Sequence, residues 1–159
     1  MYSREEIKQL HKDFWTGFGG FCEHLPRFKY RHKPWILYNT KIKGVEMKFD
    51  ALQDGAYVIL ELNHKNIRKR DAMYSLLEQY KTVIDENFSD AIWQKSFIKP
   101  CGTEVSRIYR REPNLNIHKK EQWRDFYVYL SKNMSALEKS FESVRELLLD
   151  IALDQDSYL

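Results

Sequence analysis

Two stretches of this chain concentrate side chains of the kind that meet anions. Arg27, Lys29, Arg31 and Lys33 alternate with Phe28, Tyr30 and His32. Rings stack on bases while cations meet phosphates, so interleaving the two suits a nucleic acid or another polyanion. His64, Lys65, Arg68, Lys69 and Arg70 form a second cluster, at the start of an expected helix. Cations there oppose the helix macrodipole, and a bound anion would relieve that cost. Lys41, Lys43 and Lys48 lie between the clusters and would extend the surface. The bland alternative is a solvated loop and a solvated helical turn that keep the protein soluble and bind nothing.

Asp50 and Glu61 raise a different chemistry. Metal-dependent nucleases place one acid on a strand and an acid-x-lysine on the next. The carboxylates hold a divalent ion and the lysine supports the attacking water. Here the second piece is Glu61-Leu62-Asn63, with Asn where the lysine would stand, and Lys65 comes two residues late. A degenerate nuclease-like site is therefore an alternative to a structural Glu61 paired with Arg107 or Lys48. The histidines, His11, His24, His32, His64 and His118, show neither HxxxH nor HxH spacing, so they predict no metal. No Walker loop, GxGxxG or GxSxG is present. The expectation is a non-catalytic module without a cofactor.

Composition sets the frame for these groups. The 159 residues are 43% hydrophobic and 31% charged, an ordinary balance for one globular domain spanning 1–159. Net charge is +3, unevenly placed: residues 1–70 carry 14 Lys/Arg against 8 Asp/Glu, and residues 71–159 carry 12 against 15. No apolar run approaches the ~20 residues that a membrane span requires. The start, Met1-Tyr2-Ser3-Arg4-Glu5-Glu6, lacks the apolar stretch of a secretory signal. Cys22 and Cys101 are widely separated and read as reduced thiols. These features predict a cytoplasmic protein with no membrane partner.

The elements that must position the charged groups follow from periodicity. Ser3 and Glu6 fit a capping box, after which Leu10, Phe14, Phe18 and Phe21 recur on one helical face. Gly17, Gly19 and Gly20 weaken the helix or permit close packing, and Pro26 closes it. Residues 35–39 read as a short strand. Val45, Met47 and Phe49 alternate with polar neighbours, Asp54-Gly55 signals a turn, and residues 56–62 read as a central strand. A helix is expected over 67–88, with Met73, Leu77, Tyr80, Ile84 and Phe88 inward. A second hairpin follows over 92–98 and 103–111.

The last element is expected to be one helix over 119–152. Tyr127, Leu130, Met134, Leu137, Phe141, Val144, Leu148 and Ile151 form a heptad seam. At ~1.5 Å per residue it would be ~50 Å long, so it either kinks or projects to a partner. Burial against the sheet and a homodimer through residues 127–151 both fit, and the second would make the chain a protein-interaction module. The predicted class is α+β: an antiparallel sheet built from hairpins with helices on one face, in the order α-β-β-β-α-β-β-α.

A set of motifs in this order resembles a known family. They are Phe14-Trp15-Thr16-Gly17-Phe18-Gly19, Trp35-Ile36-Leu37-Tyr38-Asn39-Thr40 with Lys43-Gly44, Ile59-Leu60-Glu61-Leu62, Ile92-Trp93, Val105-Ser106-Arg107-Ile108-Tyr109, and Trp123. The chain is similar over nearly its whole length to the bacterial and archaeal domain of unknown function family 4268, in its stand-alone Bacteroidetes-type form. The resemblance implies no activity. It singles out Trp35, Tyr38, Lys43, Gly44, Glu61, Arg107 and Trp123 as positions of interest. Longer relatives carry nuclease-like segments, which implies nucleic-acid business by association.

Overall fold

The computed structural model of the chain describes residues 2–25 and 40–154. Its elements are α1 (Arg4–Glu23), β1 (Val45–Leu52), β2 (Gly55–Leu62), α2 (Ile67–Gln79), α3 (Lys81–Asp85), β3 (Ile92–Ile98), β4 (Glu104–Glu112), a 3-10 turn (Lys120–Gln122), α4 (Trp123–Glu142) and α5 (Arg145–Leu153). The α+β expectation holds. The strand expected over 35–39 lies outside the described residues.

The four strands form one antiparallel sheet in the order β1-β2-β4-β3. Strand alternation decides what each face carries. Val45, Met47 and Ala51 of β1 point to the same side as Ala56, Val58, Leu60 and Leu62 of β2, and all seven are buried in the main core. Met73 and Leu77 of α2 and Leu130, Leu137 and Phe141 of α4 complete that core. On the other side of β2, Tyr57 and Ile59 join Tyr109 of β4 in a small separate cluster. Every residue of β2 is buried, as its mostly apolar sequence predicts for a central strand.

The first helix begins as expected. The Ser3 hydroxyl accepts from the Glu6 amide at 3.2 Å, and Glu6 reaches back to the Ser3 amide. Leu10, Phe14 and Phe18 are its buried stripe. Gly17 permits a close approach: a side chain there would meet the hydroxyl of Tyr127, which donates to the Phe14 carbonyl at 2.8 Å. The two helices are thus joined by a buried hydrogen bond across an aromatic contact, with Phe14 and Tyr127 rings 5.1 Å apart.

Two expected helices are each broken in two. The 67–88 helix stops at Tyr80 and restarts as α3, which keeps Ile84 and Phe88 buried. The buried Ser140 hydroxyl of α4 donates to the Ile84 carbonyl at 2.7 Å, which fastens the short α3 to its neighbour. The 119–152 helix breaks at Ser143–Val144, where Val144 has φ −121 and ψ −1. The break turns α5 back onto α2. Lys69 of α2 then donates to the Ala152 carbonyl at 2.9 Å, a cation at the negative end of α5. The long helix therefore bends rather than projects. Leu130, Leu137 and Val144 are each at most 1% exposed within one chain. An intermolecular seam through them would require this core to open.

Leu137→Ala is expected to cost about 2–5 kcal/mol, because a buried leucine lost from a packed core leaves a cavity. Urea unfolding followed by circular dichroism measures it. A loss below about 0.5 kcal/mol would mean that this face of α4 is not packed inside the chain.

Candidate anion-binding surface

The organising group is Glu61, on the non-helical face near the end of β2. Its side chain is 7% exposed. Lys48 of β1 donates to its Oε2 at 2.9 Å and Asn63 donates to the same oxygen at 2.7 Å. Lys99, beyond the end of β3, stands 3.6 Å from Oε1. Burial alone would raise the Glu61 pKa, but the Lys48 and Asn63 hydrogen bonds and the two ammonium charges outweigh it and hold the carboxyl below its usual value. Burial alone would lower Lys48, and its hydrogen bonds to Glu61 and Glu46 hold it above the ordinary lysine value instead. Glu61 is an ionised, fully engaged carboxylate.

The second basic cluster is rearranged by its surroundings. Asn66 caps α2, its side chain accepting from the amides of Arg68 at 3.0 Å and Lys69 at 3.3 Å. The helix start is thereby satisfied internally, and the expected bound anion is not required there. Arg70 is 6% exposed; it donates to the Glu104 carbonyl at 3.0 Å and pairs with the Glu104 carboxylate. Lys69 is taken by α5. His64 is buried, and its Nδ1 accepts from the Asn66 amide at 3.0 Å. Burial, then the charges of Lys69 and Lys43, lower its pKa, so it stays neutral at pH 7. Three of the expected binding residues, His64, Lys69 and Arg70, therefore have structural duties. Lys65 and Arg68 are exposed.

Lys41 and Lys43 join them through Gly44. The Asn63 amide donates to the Gly44 carbonyl at 2.9 Å, which seats the turn before β1 against the loop after β2. Gly44 has φ +84, and a Cβ there would lie 2.6 Å from the His64 Cβ. Only glycine allows this approach. The exposed Lys41 and Lys43 thus stand at the same end of the sheet as Lys65, Arg68, Lys48 and Lys99.

The remaining positions divide cleanly. Arg27, Lys29, Arg31, Lys33, Trp35 and Tyr38 lie outside the described residues. Trp123 donates its indole N–H to the Ile117 carbonyl at 2.7 Å and packs edge-on against Phe14, a structural role. Asp50 and Glu61 share a face, but Asp50 pairs in register with Tyr57 and Glu61 with Glu46. Four residues along a strand are roughly 13 Å, too far for two carboxylates to share one ion. Among the described residues no group of three or more His, Cys, Asp or Glu is arranged to hold a metal. None of the helices among them is long and apolar enough to cross a membrane.

Arg107 stands opposite Glu61 in the β2–β4 register, yet the two are not paired. The Arg107 guanidinium carbon lies 3.5 Å from the Phe97 ring centre and 4.2 Å from that of Tyr109. Its Nε donates to Gln94 Oε1 at 2.8 Å. Lys99 is the member of this surface that sequence reasoning missed. Its signal was faint: one lysine beside the Cys101-Gly102 turn of the second hairpin, with nothing local to tie it to Glu61.

Comparison with known proteins adds a family. Residues 10–145 match the family model described as Domain of unknown function (DUF4268), and the chain belongs to that family. Neither the curated proteins nor the solved structures contain a match.

The Glu61 pairing sets an acid limb of stability. A carboxylate whose folded pKa is depressed below its ordinary 4.5 stabilises the fold fully above that value. The contribution is lost as pH falls through the folded value. Thermal melts of Glu61→Gln between about pH 3 and 7 should show a lower midpoint at neutral pH and a shallower decline on acidification. An unchanged acid limb would mean that Glu61 is not held ionised by Lys48 and Asn63.

Proposed function

We propose that this DUF4268 member is a non-catalytic module that binds a polyanion, with nucleic acid the best fit, through the end of the sheet that carries Lys41, Lys43, Lys48, Lys65, Arg68 and Lys99. One observation carries the reading. The turn at Gly44 is seated on the loop at Asn63–His64, so Lys43 and Lys65, far apart in sequence, are exposed at one end of the molecule. Lys48 and Lys99 flank the same end, where the carboxylates of Glu61 and Glu46 balance their two charges, so the reading rests on Lys43 and Lys65. Such a surface concentrates phosphates by charge and releases condensed counterions when it binds. The uneven charge of the chain supports the same reading, because the basic excess lies in residues 1–70.

Fluorescence anisotropy with single- and double-stranded DNA and RNA tests it. Affinity should fall steeply between about 50 and 200 mM salt. Replacing Lys43 and Lys65 together by Glu should weaken binding about tenfold or more and reduce the salt slope by about two. Absence of binding at low salt would overturn the reading.

A further inference from the structure

Opposite charges facing each other across an antiparallel pair ordinarily join, and the β2–β4 register sets Arg107 directly opposite Glu61. They do not join here. Glu61 spends its oxygens on Lys48, Asn63 and Lys99, which come from the other two strands' side and from the loop after β2. The Arg107 guanidinium is instead laid over the rings of Phe97 and Tyr109 and steered through its Nε by Gln94, the residue facing it on β3. All three of these partners are uncharged. Asp50 feels the Arg107 charge at longer range but forms no ion pair with it. Among the described residues neither Nη nitrogen of Arg107 has a hydrogen-bond acceptor.

A guanidinium in this state is a prepared receptor. Its position is set by two rings and its rotation by one hydrogen bond. Its outer edge is left with paired donors that match two oxygens of a tetrahedral anion. Most of the rotamer entropy that binding ordinarily costs has already been given up. Lys48 and Lys99 are balanced by Glu46 and Glu61, which leaves the Arg107 charge facing Asp50 only at longer range.

We infer that Arg107, held by Phe97, Tyr109 and Gln94, is a bidentate receptor for a phosphate group. The inference rests on the polyanion reading where that phosphate belongs to a nucleic acid. The same chemistry would also accept a free phosphate.

Two probes, inorganic phosphate and a single-stranded DNA oligonucleotide, separate the sources. The full chain is labelled with 15N and the Arg107 Nε–H signal is followed during each titration. Arg107→Lys keeps the charge and removes the planar fork; it should weaken binding about tenfold or more. Gln94→Glu places a carboxylate beside the guanidinium. It should fold as stably as the parent and weaken binding comparably, because the fork is then occupied from within. Wild-type affinity in both variants would overturn the inference. Loss of oligonucleotide binding in the Lys43→Glu, Lys65→Glu chain, with no effect of the Arg107 and Gln94 variants, would overturn it while leaving the polyanion reading intact. A phosphate-induced shift of Arg107 without oligonucleotide binding would support the receptor and overturn the polyanion reading. Silence with both probes would overturn both.

Discussion

Burial of β2 on both faces is the constraint from which the rest of the molecule follows. Its inward residues, Val58, Leu60 and Leu62, are shared with the helices, and its outward residues, Tyr57, Ile59 and Glu61, are also buried. A carboxylate in such a strand must either give up its charge or be surrounded by donors, since an unpaired buried ion costs several kcal/mol. Glu61 takes the second course. Lys48, Asn63 and Lys99 are gathered from β1, from the loop after β2 and from the turn after β3 to satisfy it. Lys48 and Lys99 are thus held at this end of the sheet by one buried acid.

The same economy sorts the basic residues into two groups. Arg70, Lys69 and Arg110 are consumed by structure: Arg70 on Glu104, Lys69 on the last turn of α5, Arg110 on Ser89 and Asn133. His64 is kept neutral by burial. Lys43 and Lys65 are left at the surface, where charges act over roughly a Debye length of about 8 Å at physiological salt. Arg107 falls between the groups, fixed by uncharged partners on one side and, among the described residues, without an acceptor on its outer edge. A charge count along the chain could not separate these roles, because members of one cluster, such as Lys65 and Lys69, end up at the surface and on the last turn of α5 respectively.

The helices show how packing edits a periodic pattern. Residues 127–148 keep three- and four-residue spacing across Ser143–Val144, yet the backbone breaks there and α5 folds back on α2. The pattern reports which side chains face inward, and a bend leaves that assignment unchanged. What closes the bend is contact at a distance, with Lys69 at the end of α5 and Arg145 donating to the Thr40 carbonyl at 2.7 Å. The residues that read as an oligomer seam, from Tyr127 to Leu148, are buried within one chain.

By itself the sequence determined the features whose causes are local. These are the capping box at Ser3, the alternation of β1, the apolar run of β2, the second hairpin, and most of the inward residues of the described helices, though not the buried Tyr74 and Phe126. Each depends on neighbours within one turn or one strand step. It also marked Glu61, Arg107 and Gly44 as positions of interest. Tertiary structure alone decided which cations Glu61 takes, whether Arg107 joins Glu61 or packs on Phe97 and Tyr109, which members of the basic cluster remain at the surface, and where the long helix bends. Those outcomes turn on strand register and helix packing, which bring together groups that no local pattern connects.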